Sequence, residues 1–224
     1  MAYPSSPIPI LGLGAGSHAK SLLEAIRSQG TFAAVALVDD DPHRSATELL
    51  GVPVASDPNA LERLQGDGVG HAFVGVGGTS DSAARQRVFE RLRDAGFELP
   101  PILHATAVVS PLARVSDGAQ ILAAATVNVD ADIGNGSIVN TGAIVEHDCR
   151  IGAHAHIAPG ARLAGLVTVA DGAHVGIGAV AIEGVRIGAG AFVAAGAVVV
   201  RDVDDGVRVA GVPAREMAAV ALGR

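Results

Sequence analysis

Residues 139–163 read VNTGAIVEHDCRIGAHAHIAPGARL, and a branched aliphatic residue returns at every sixth position of this stretch. The same register extends outward in both directions for sixteen hexapeptides. Its positions are Val109, Val115, Ile121, Val127, Ile133, Val139, Val145, Ile151, Ile157, Leu163, Val169, Val175, Ala181, Ile187, Val193 and Val199. Four residues after each of these comes a small residue, which is alanine in eleven of the sixteen repeats and never larger than valine.

A lasting six-residue register fits neither a helix of period 3.6 nor a flat strand of period 2. It predicts a left-handed parallel β-helix, in which three six-residue sides close one triangular coil. The aliphatic residue fills the centre of each side, and the small residue fits where the chain turns inward at a corner. Sixteen hexapeptides make about five coils, and at roughly 4.8 Å per coil the prism is about 25 Å tall.

Residues 1–103 follow a different pattern, in which short apolar runs alternate with helical segments. Strands are expected at 8–13, 33–38, 53–54 and 71–76, and helices at 19–28, 58–64 and 82–95. This alternation predicts an α/β domain with a short, parallel, Rossmann-like sheet. We therefore expect three parts: residues 1–103, a β-helix over 104–206, and a capping tail with a short helix over 207–224. Segment 97–104, which contains Pro100-Pro101, is expected to be the linker.

The composition narrows the class of protein. Of the 224 residues, 49% are hydrophobic and only 17% are charged, which excludes a largely disordered chain. A net charge of −7, without any Lys/Arg cluster, argues against binding to nucleic acid or to an anionic membrane surface. The single cysteine, Cys149, excludes an internal disulfide. The amino terminus lacks a basic segment before its apolar run, so we expect a cytoplasmic protein without a membrane span.

The turn after the first strand has small residues suited to binding a phosphate. Residues 12–18 read GLGAGSH, which does not fit G-x-G-x-x-G, so binding of NAD(P) is not favoured. Small residues nevertheless allow backbone N–H groups to approach an anion at a helix N-terminus. Asp39 and Asp40 follow the second strand, where a ribose or base is commonly held. These features predict a nucleotide-linked ligand. In the alternative interpretation, the glycines only permit close packing and the aspartates only solvate a strand end.

Among eight histidines, His147 has the neighbours expected of a general base. It lies near a predicted corner, between Glu146 and Asp148, and a carboxylate beside an imidazole fixes its tautomer and raises its basicity. His156, nine residues further on, is expected in the same region of the prism. A metal site formed by His147, His154 and His156 is an alternative, although their spacing does not suit a tetrahedral set. A second alternative is that His147 is simply a solvated residue at a turn.

Three segments together resemble a known family: the hexapeptides, the stretch EHDCRIG at 146–152 and the tail AGVPAR at 210–215. They resemble hexapeptide-repeat acyltransferases. The turn GAGSHAK at 14–20, with Asp39-Asp40, narrows the resemblance to bacterial N-acetyltransferases of nucleotide-linked 4-amino sugars and to related sialic acid O-acetyltransferase-like proteins. Two departures are visible: Gly16-Ser17-His18 stands where Ser-Gly-His is common, and His104 is followed by Ala105 where proline is usual.

The resemblance implies roles for individual residues. His147 matches the catalytic base, and Asp148 matches the acidic neighbour that raises its basicity. The positions that match contacts to acetyl-CoA are His156, Gly165, Ile177 and Ala195. The positions that match contacts to the nucleotide sugar, or extend them, are Gly16, Ser17, His18, Asp39, Asp40 and Gly77. Ile177 and Ala195 are three hexapeptides apart, so the repeat also predicts that they stack one coil above the other.

The expected reaction is direct attack of a sugar 4-amino group on the thioester of acetyl-CoA, with His147 as general base and no metal. Cys149 occupies the inward small-residue position, so we interpret it as part of the core and not as a nucleophile. The resemblance further implies a homotrimer with acetyl-CoA between neighbouring prisms. The sequence leaves open whether the sugar carries UDP or GDP, and O-acetylation of a sialic acid or another sugar hydroxyl is the alternative activity. A third possibility is a non-enzymatic β-helix scaffold, although a scaffold does not account for the nucleotide-like first domain.

Overall fold

The structure is a computed structural model that describes residues 6–78 and 82–217. Its first part contains a five-stranded sheet in the order β3-β4-β2-β1-β5, parallel except for the antiparallel pair of β3 with β4. The elements are β1 (Ile8–Leu13), α1 (Ser17–Gln29), β2 (Phe32–Val38), a 3₁₀ turn (Pro42–Arg44), β3 (Glu48–Leu49), β4 (Val52–Ala55), α2 (Ala60–Gly66), β5 (His71–Val74) and α3 (Ala83–Asp94). The predicted α/β class is confirmed, and β3 is an element that the sequence analysis does not include.

The helices cover both faces of this sheet, as a parallel sheet requires. On one face, Leu22, Leu23 and Ile26 of α1 pack into a buried cluster with Ile10 and Phe73. On the other face, a second buried cluster joins the sheet to α2 and α3. Its members include Leu11, Leu13, Leu61, Phe89 and Leu92. Apolar residues at helical spacing therefore place α1 against one face and α2 with α3 against the other.

The second part is a left-handed β-helix with three faces, as predicted. The face that packs against the first domain, called here the covered face, comprises β6 (Ile102–Leu103), β9 (Gln120–Ile121), β12 (Ile138–Val139), β15 (His156–Ile157), β18 (His174–Val175), β21 (Phe192–Val193), β23 (Arg208–Ala210) and β24 (Arg215–Glu216). The apolar face comprises β7 (Val108–Val109), β10 (Thr126–Val127), β13 (Ile144–Val145), β16 (Arg162–Leu163), β19 (Val180–Ala181) and β22 (Val198–Val199). The charged face comprises β8 (Arg114–Val115), β11 (Asp132–Ile133), β14 (Arg150–Ile151), β17 (Thr168–Val169) and β20 (Arg186–Ile187).

The hexapeptide register accounts for the interior of the prism. Each face stacks parallel strands, and neighbouring strands from β7 to β22 are three hexapeptides apart. The aliphatic series points inward, and the small-residue series fills the corners. Cys149 and Ser137 belong to the small-residue series and are fully buried there.

Every corner from 118 to 196 contains one residue in the left-handed conformation, and these residues recur every six positions. Nine of them are glycines: Gly118, Gly136, Gly142, Gly160, Gly172, Gly178, Gly184, Gly190 and Gly196. The other five are Ala124, Asp130, Asp148, His154 and Leu166, with φ between 55° and 63°. Asp148 therefore has a backbone conformation that glycine adopts without strain, and which aspartate tolerates better than most residues do.

The first domain is fixed to the covered face by polar and aromatic contacts. Arg85 of α3 is 1% exposed, and its guanidinium donates hydrogen bonds to the backbone carbonyls of Gly136, at 3.3 Å, and His154. Phe89 packs edge-on against the His154 ring, with a centroid distance of 5.1 Å. Within segment 97–104, interpreted above as a linker, β6 already pairs with β9 of the prism.

The described end of the chain closes the prism with the antiparallel pair β23 and β24, and Val209 and Ala214 are buried there. The short helix expected within 207–224 does not occur over 207–217, and residues 218–224 lie outside the described part of the chain. Across 6–78 and 82–217, no helix combines the length and hydropathy needed to cross a membrane.

Candidate active site

His147 lies at the corner that joins the apolar face to the charged face, between β13 and β14. Its Nδ1 lies 2.9 Å from Oδ2 of Asp148, and both side chains are about half exposed. This hydrogen bond raises the pKa of His147 above its ordinary value. Because the carboxylate accepts a hydrogen bond from Nδ1–H, the neutral ring carries its lone pair on Nε2. The pair can therefore act as an oriented general base.

Gly165 provides the seat for the His147 ring. It follows His147 by three hexapeptides and therefore lies one coil above it, and a Cβ at Gly165 would come within 2.5 Å of Cε1 and 2.6 Å of Nε2. The next residue, Leu166, donates its backbone N–H to the His147 carbonyl at 3.0 Å. Gly165 is predicted to contact acetyl-CoA, whereas in the structure it lies against the imidazole of His147.

A separate cavity of about 710 Å³ opens between the first domain and the covered face. It brings together the predicted residues Gly16, Ser17, His18, Asp39, Gly77 and His156. Its other lining residues are Gly14, Ser21, Gly75, Val76, Gly78, Ala84 and Asn140. Asp40 is not among them, since its carboxylate binds Arg91 of α3 at 2.9 Å. The structure therefore separates the two aspartates that the sequence analysis groups together.

Asp39 holds the loop at the start of α1. Its Oδ2 accepts the backbone N–H of Ala15 at 2.7 Å, and Arg44 donates to the Ala15 carbonyl at 2.7 Å. Gly16 is the residue before the first helical turn, and as a glycine it has no side chain that could cap the helix. The first N–H groups of a helix have no partner within the helix, so those of Ser17 and His18 at this end can bind an anion.

His156 lies on a different face from His147, which corrects the expectation that the two share one region of the prism. A coil takes three hexapeptides, so a separation of one and a half hexapeptides carries the chain halfway around the prism. His156 is 6% exposed, and its Nε2 lies 3.1 Å from Nδ2 of Asn140. Gly78 covers the ring so closely that a Cβ there would overlap it. Burial lowers the pKa of His156 to about 3, so the ring is neutral at ordinary pH.

Ile177 and Ala195 lie one coil apart, as the repeat predicts, and Gly196 donates its backbone N–H to the Ile177 carbonyl at 2.8 Å. Both residues are exposed, at the corner that joins the covered face to the apolar face. Asn140 lies at the same corner, next to Thr141, which is the residue two coils below Ile177. Among the predicted site residues, His147 and Gly165 therefore lie at one edge of the apolar face and Ile177 and Ala195 lie at the other. The residues that line the cavity lie beside the covered face.

Cys149 is fully buried, and its Sγ donates to the carbonyl of Ala164 at 3.2 Å. Burial raises the pKa of this thiol to about 11, which disfavours the thiolate that a nucleophile needs. Among residues 6–78 and 82–217, no three His, Cys, Asp or Glu side chains are placed to hold a metal ion. In particular, His147 lies at a different corner from His154.

Asn140, Gln120 and Gly78 are further residues of the site that were not predicted from the sequence. The signal that could have found Gln120 is the spacing of three hexapeptides per coil, because Gln120 precedes His156 by two coils on the covered face. Gln120 is a polar residue at an outward position on that face, and it is 1% exposed. Gln120 is buried because the first domain packs over it, and the hexapeptide repeat alone does not predict where that domain packs.

Comparison with known proteins agrees with this architecture. Residues 10–92 match the family model of the PglD N-terminal domain, and residues 130–165 match that of the bacterial transferase hexapeptide, with six repeats. No curated protein sequence matches the chain significantly.

Solved structures resemble the chain over nearly its whole length. One is a perosamine N-acetyltransferase, PerB, from Caulobacter crescentus in complex with CoA and GDP-perosamine; it is 41% identical, covers 97% of this chain and 100% of its own, and gives a TM-score of 0.87. Another is the acetyltransferase domain of PglB from Neisseria gonorrhoeae in complex with acetyl coenzyme A, with 33% identity, 95% and 100% coverage and a TM-score of 0.85. The chain belongs to the family of hexapeptide-repeat acyltransferases that carry a PglD-type N-terminal domain.

Proposed function

We propose that this protein transfers the acetyl group of acetyl-CoA to the 4-amino group of a GDP-linked amino-deoxy sugar, with His147 as general base. The observation that carries the proposal is the 41% identity, over 97% of the chain, to an N-acetyltransferase in complex with CoA and GDP-perosamine. The sequence alone does not distinguish UDP from GDP, and this relative favours GDP. Different observations support the assignment of the base and the assignment of the acceptor site.

The base is supported by the hydrogen bond between His147 and Asp148. An amine that attacks a thioester must lose a proton, and Nε2 of the neutral ring can accept it. Asp148 then stabilises the resulting imidazolium through Nδ1. The acetyl group passes directly from sulfur to nitrogen, and CoA leaves as the thiol. The inward position of Cys149 supports this direct transfer over a route through an acyl-cysteine.

The acceptor site is supported by the cavity at the start of α1. Its helix N-terminus offers backbone N–H groups to the diphosphate, and Asp39 lies where the ribose or base would bind. His18, Asn140 and His156 lie on the side of the cavity that faces the prism. We therefore place the nucleotide against the first domain and the hexose against the covered face.

The placement of His147 at one edge of the apolar face, with Ile177 and Ala195 at the other, supports a homotrimer. In one chain, His147 and the cavity are separated by the whole width of this face. A neighbouring prism that docks its His147 corner against the Ile177 corner would bring base, acetyl-CoA and acceptor together. The large hydrophobic residues of 102–203 that are exposed all lie on the apolar face or at its two edges: Val108, Leu112, Leu166, Ile177, Ile182 and Val200.

The experiment that tests the proposal is an acetyl transfer assay that follows thiol release. Acetyl-CoA is offered with GDP-perosamine, with a UDP-linked 4-amino-4,6-dideoxy sugar and with sialic acid. We expect thiol release, and a product heavier by one acetyl group, with GDP-perosamine. Turnover with sialic acid alone would establish the O-acetyltransferase alternative, and turnover with the UDP sugar alone would correct the nucleotide. Thiol release with none of the three would contradict the proposed function.

A further inference from the structure

Two protein groups fix the orientation of the Gln120 amide. Nε2 of Gln120 lies 2.9 Å from the carbonyl oxygen of Val74, at the end of β5. A carbonyl oxygen can only accept a hydrogen bond, so the NH₂ end of the amide must face Val74. The other end, Oε1, then lies 2.7 Å from Nε2 of His18. Gln120 is 1% exposed, so water does not compete for either contact.

The amide orientation decides the tautomer of His18. Oε1 of an amide has no proton, so Nε2 of His18 must donate in this short contact. Burial lowers the pKa of His18 more than the hydrogen bond to Gln120 raises it, and the nearby Arg85 lowers it further. The ring therefore carries a single proton, on Nε2, and Nδ1 carries a lone pair. His18 lines the cavity beside Gly77 and presents an acceptor there.

We propose that Gln120 is a positioning residue that locks His18 as the Nε2-protonated tautomer, so that Nδ1 accepts a hydrogen bond from the hexose of the bound nucleotide sugar. The inference rests on the proposed function in placing a nucleotide sugar in the cavity. His18 is in the first turn of α1 on the side that faces the prism, whereas Asp39 is at the nucleotide end. A hydroxyl or amino hydrogen of the hexose is therefore the donor that Nδ1 would meet.

The two hydrogen bonds of Gln120 also connect the prism to the first domain. Gln120 belongs to β9 of the prism, while His18 and Val74 belong to the first domain. A single amide thus bridges a helix and a strand end of the first domain from the opposite side of the interface. Removing that amide would free the imidazole to exchange its proton between Nδ1 and Nε2, and Nδ1 would then no longer be a constant acceptor.

The test compares full-length wild type with Gln120→Met, which keeps the length of the side chain and removes both hydrogen bonds. Ser137→Ala is the matched control, because it removes another buried hydrogen bond of the prism, at 2.7 Å to the Gly134 carbonyl, at a position where the repeat prefers alanine. Calorimetric titration measures the dissociation constants for GDP-perosamine and for GDP. The ¹⁵N shifts of labelled histidine, assigned with His18→Asn, report the tautomer.

In wild type we expect the His18 shifts of a protonated Nε2 and an unprotonated Nδ1, and in Gln120→Met a mixture of tautomers. Gln120→Met should raise the dissociation constant for GDP-perosamine by about 3- to 10-fold, the effect of one net hydrogen bond. It should change the dissociation constant for GDP by less than about 2-fold. Ser137→Ala should match wild type for both ligands. A protonated Nδ1 in wild type, unchanged binding of GDP-perosamine by Gln120→Met, or equal weakening of GDP would overturn the proposal.

The inference can still be tested if Gln120→Met does not fold or if wild type does not bind GDP-perosamine. If Gln120→Met does not fold, His18→Asn and His18→Gln replace it, because the Asn amide reaches the place of Nδ1 and the Gln amide that of Nε2. His18→Asn should then bind GDP-perosamine more tightly than His18→Gln, and the reverse order would contradict the inference. If wild type binds no GDP-perosamine, the proposed acceptor is wrong, and the nitrogen shifts alone decide whether Gln120 fixes His18.

Discussion

The chemistry proposed at the His147 corner depends on contacts within a few ångströms of one ring. Asp148 binds Nδ1, Gly165 leaves room for the ring, and Leu166 ties the backbone of His147 to the next coil. These contacts orient the imidazole without burying it. A base that remains exposed within one chain can meet a substrate held elsewhere. Substitutions at this scale should therefore change catalysis far more than stability.

Replacing His147 by alanine should lower kcat by about 10²- to 10⁴-fold, the usual contribution of a general base, while the KM for acetyl-CoA changes little. Steady-state kinetics with GDP-perosamine measures both constants. Cys149→Ala is the control, since its side chain lies in the core and should leave turnover near that of wild type. Turnover of His147→Ala close to wild type would refute the assignment, as would a trapped acyl-enzyme that disappears in Cys149→Ala.

Asp148→Asn should change the pH dependence of turnover. The base must be neutral, so activity rises as the pH rises through the pKa of His147, which Asp148 raises. Asparagine also tolerates the left-handed conformation of this position but removes the carboxylate. The rising limb of kcat/KM should therefore move to lower pH, and its plateau should fall because the base is weaker. A limb that stays in place would show that Asp148 does not set the basicity of His147.

The repeating corner is the element that shapes the β-helix. Each corner places one residue in the left-handed region, where a β-carbon is strained, and the six-residue recurrence of this conformation continues from Gly118 to Gly196. Asp148 takes part in this recurrence, so the geometry of the His147–Asp148 pair arises from the same turn that builds every other corner. The backbone that carries the proposed base thus has the same conformation as the other corners, and only the side chains of His147 and Asp148 distinguish it.

Gly190→Ala should lower the free energy of unfolding by about 1 kcal/mol because of backbone strain alone. Its φ is 62°, and a Cβ there would have no neighbour within 4 Å. Gly66→Ala adds the same methyl group at the end of α2, also in open space but without a left-handed backbone, and should be neutral or slightly stabilising. Denaturant unfolding compares the two variants. Equal effects would show that backbone conformation is not the cause.

The parts of the fold that repeat locally were predictable, and the parts that depend on docking were not. The aliphatic series from Val109 to Val199 gives the prism because inward-facing residues of each coil must be apolar. His147 with Asp148 was predictable because the two are adjacent in sequence. The pairing of His18 with Gln120, far apart in the chain, depends on how the first domain packs on the covered face. The separation of Asp39 from Asp40 likewise depends on Arg91, a residue of α3 that no local pattern links to them.

At the scale of the whole molecule, the interface between the first domain and the prism contains several buried histidines whose neutral form is favoured. Burial lowers the pKa values of His18, His154 and His156. The same interface contains the buried guanidinium of Arg85, which adds to the lowering at each of these rings. Protonating these histidines therefore opposes the docked arrangement. Acid should act on this interface before it acts on the apolar interior of the prism.

The free energy of unfolding should fall as the pH falls below about 6.5. Unfolded histidines bind a proton near that pH, whereas His156 in the folded chain does so only at about 3. The unfolded state thus binds more protons, and His156 alone costs about 1.4 kcal/mol for each pH unit across this window. Thermal unfolding from pH 7.5 to 5 measures the effect, and His156→Gln should reduce its slope. A midpoint that does not change with pH would contradict the prediction.

The proposed trimer can be tested on matched faces of the prism. Val198→Glu places a charge on the apolar face and should yield monomers that lack transferase activity. Thr168→Glu places the same charge at the equivalent outward position of the charged face and should remain trimeric. Light scattering measures the mass of each variant. A monomeric wild type, or dissociation of Thr168→Glu but not Val198→Glu, would contradict the assignment of the apolar face as the interface.

The triangular coil limits how a chain of this kind can change in length. Inserting a single hexapeptide before β13 would rotate all later outward side chains by one side of the triangle. His156 would no longer face the first domain, and the corner that carries His147 would move away from the neighbouring prism of the proposed trimer. Inserting three hexapeptides would return every later residue to its own face, one coil further along the prism. Viable gains and losses in this half of the protein should therefore occur as whole layers, and never as one or two sides of the triangle.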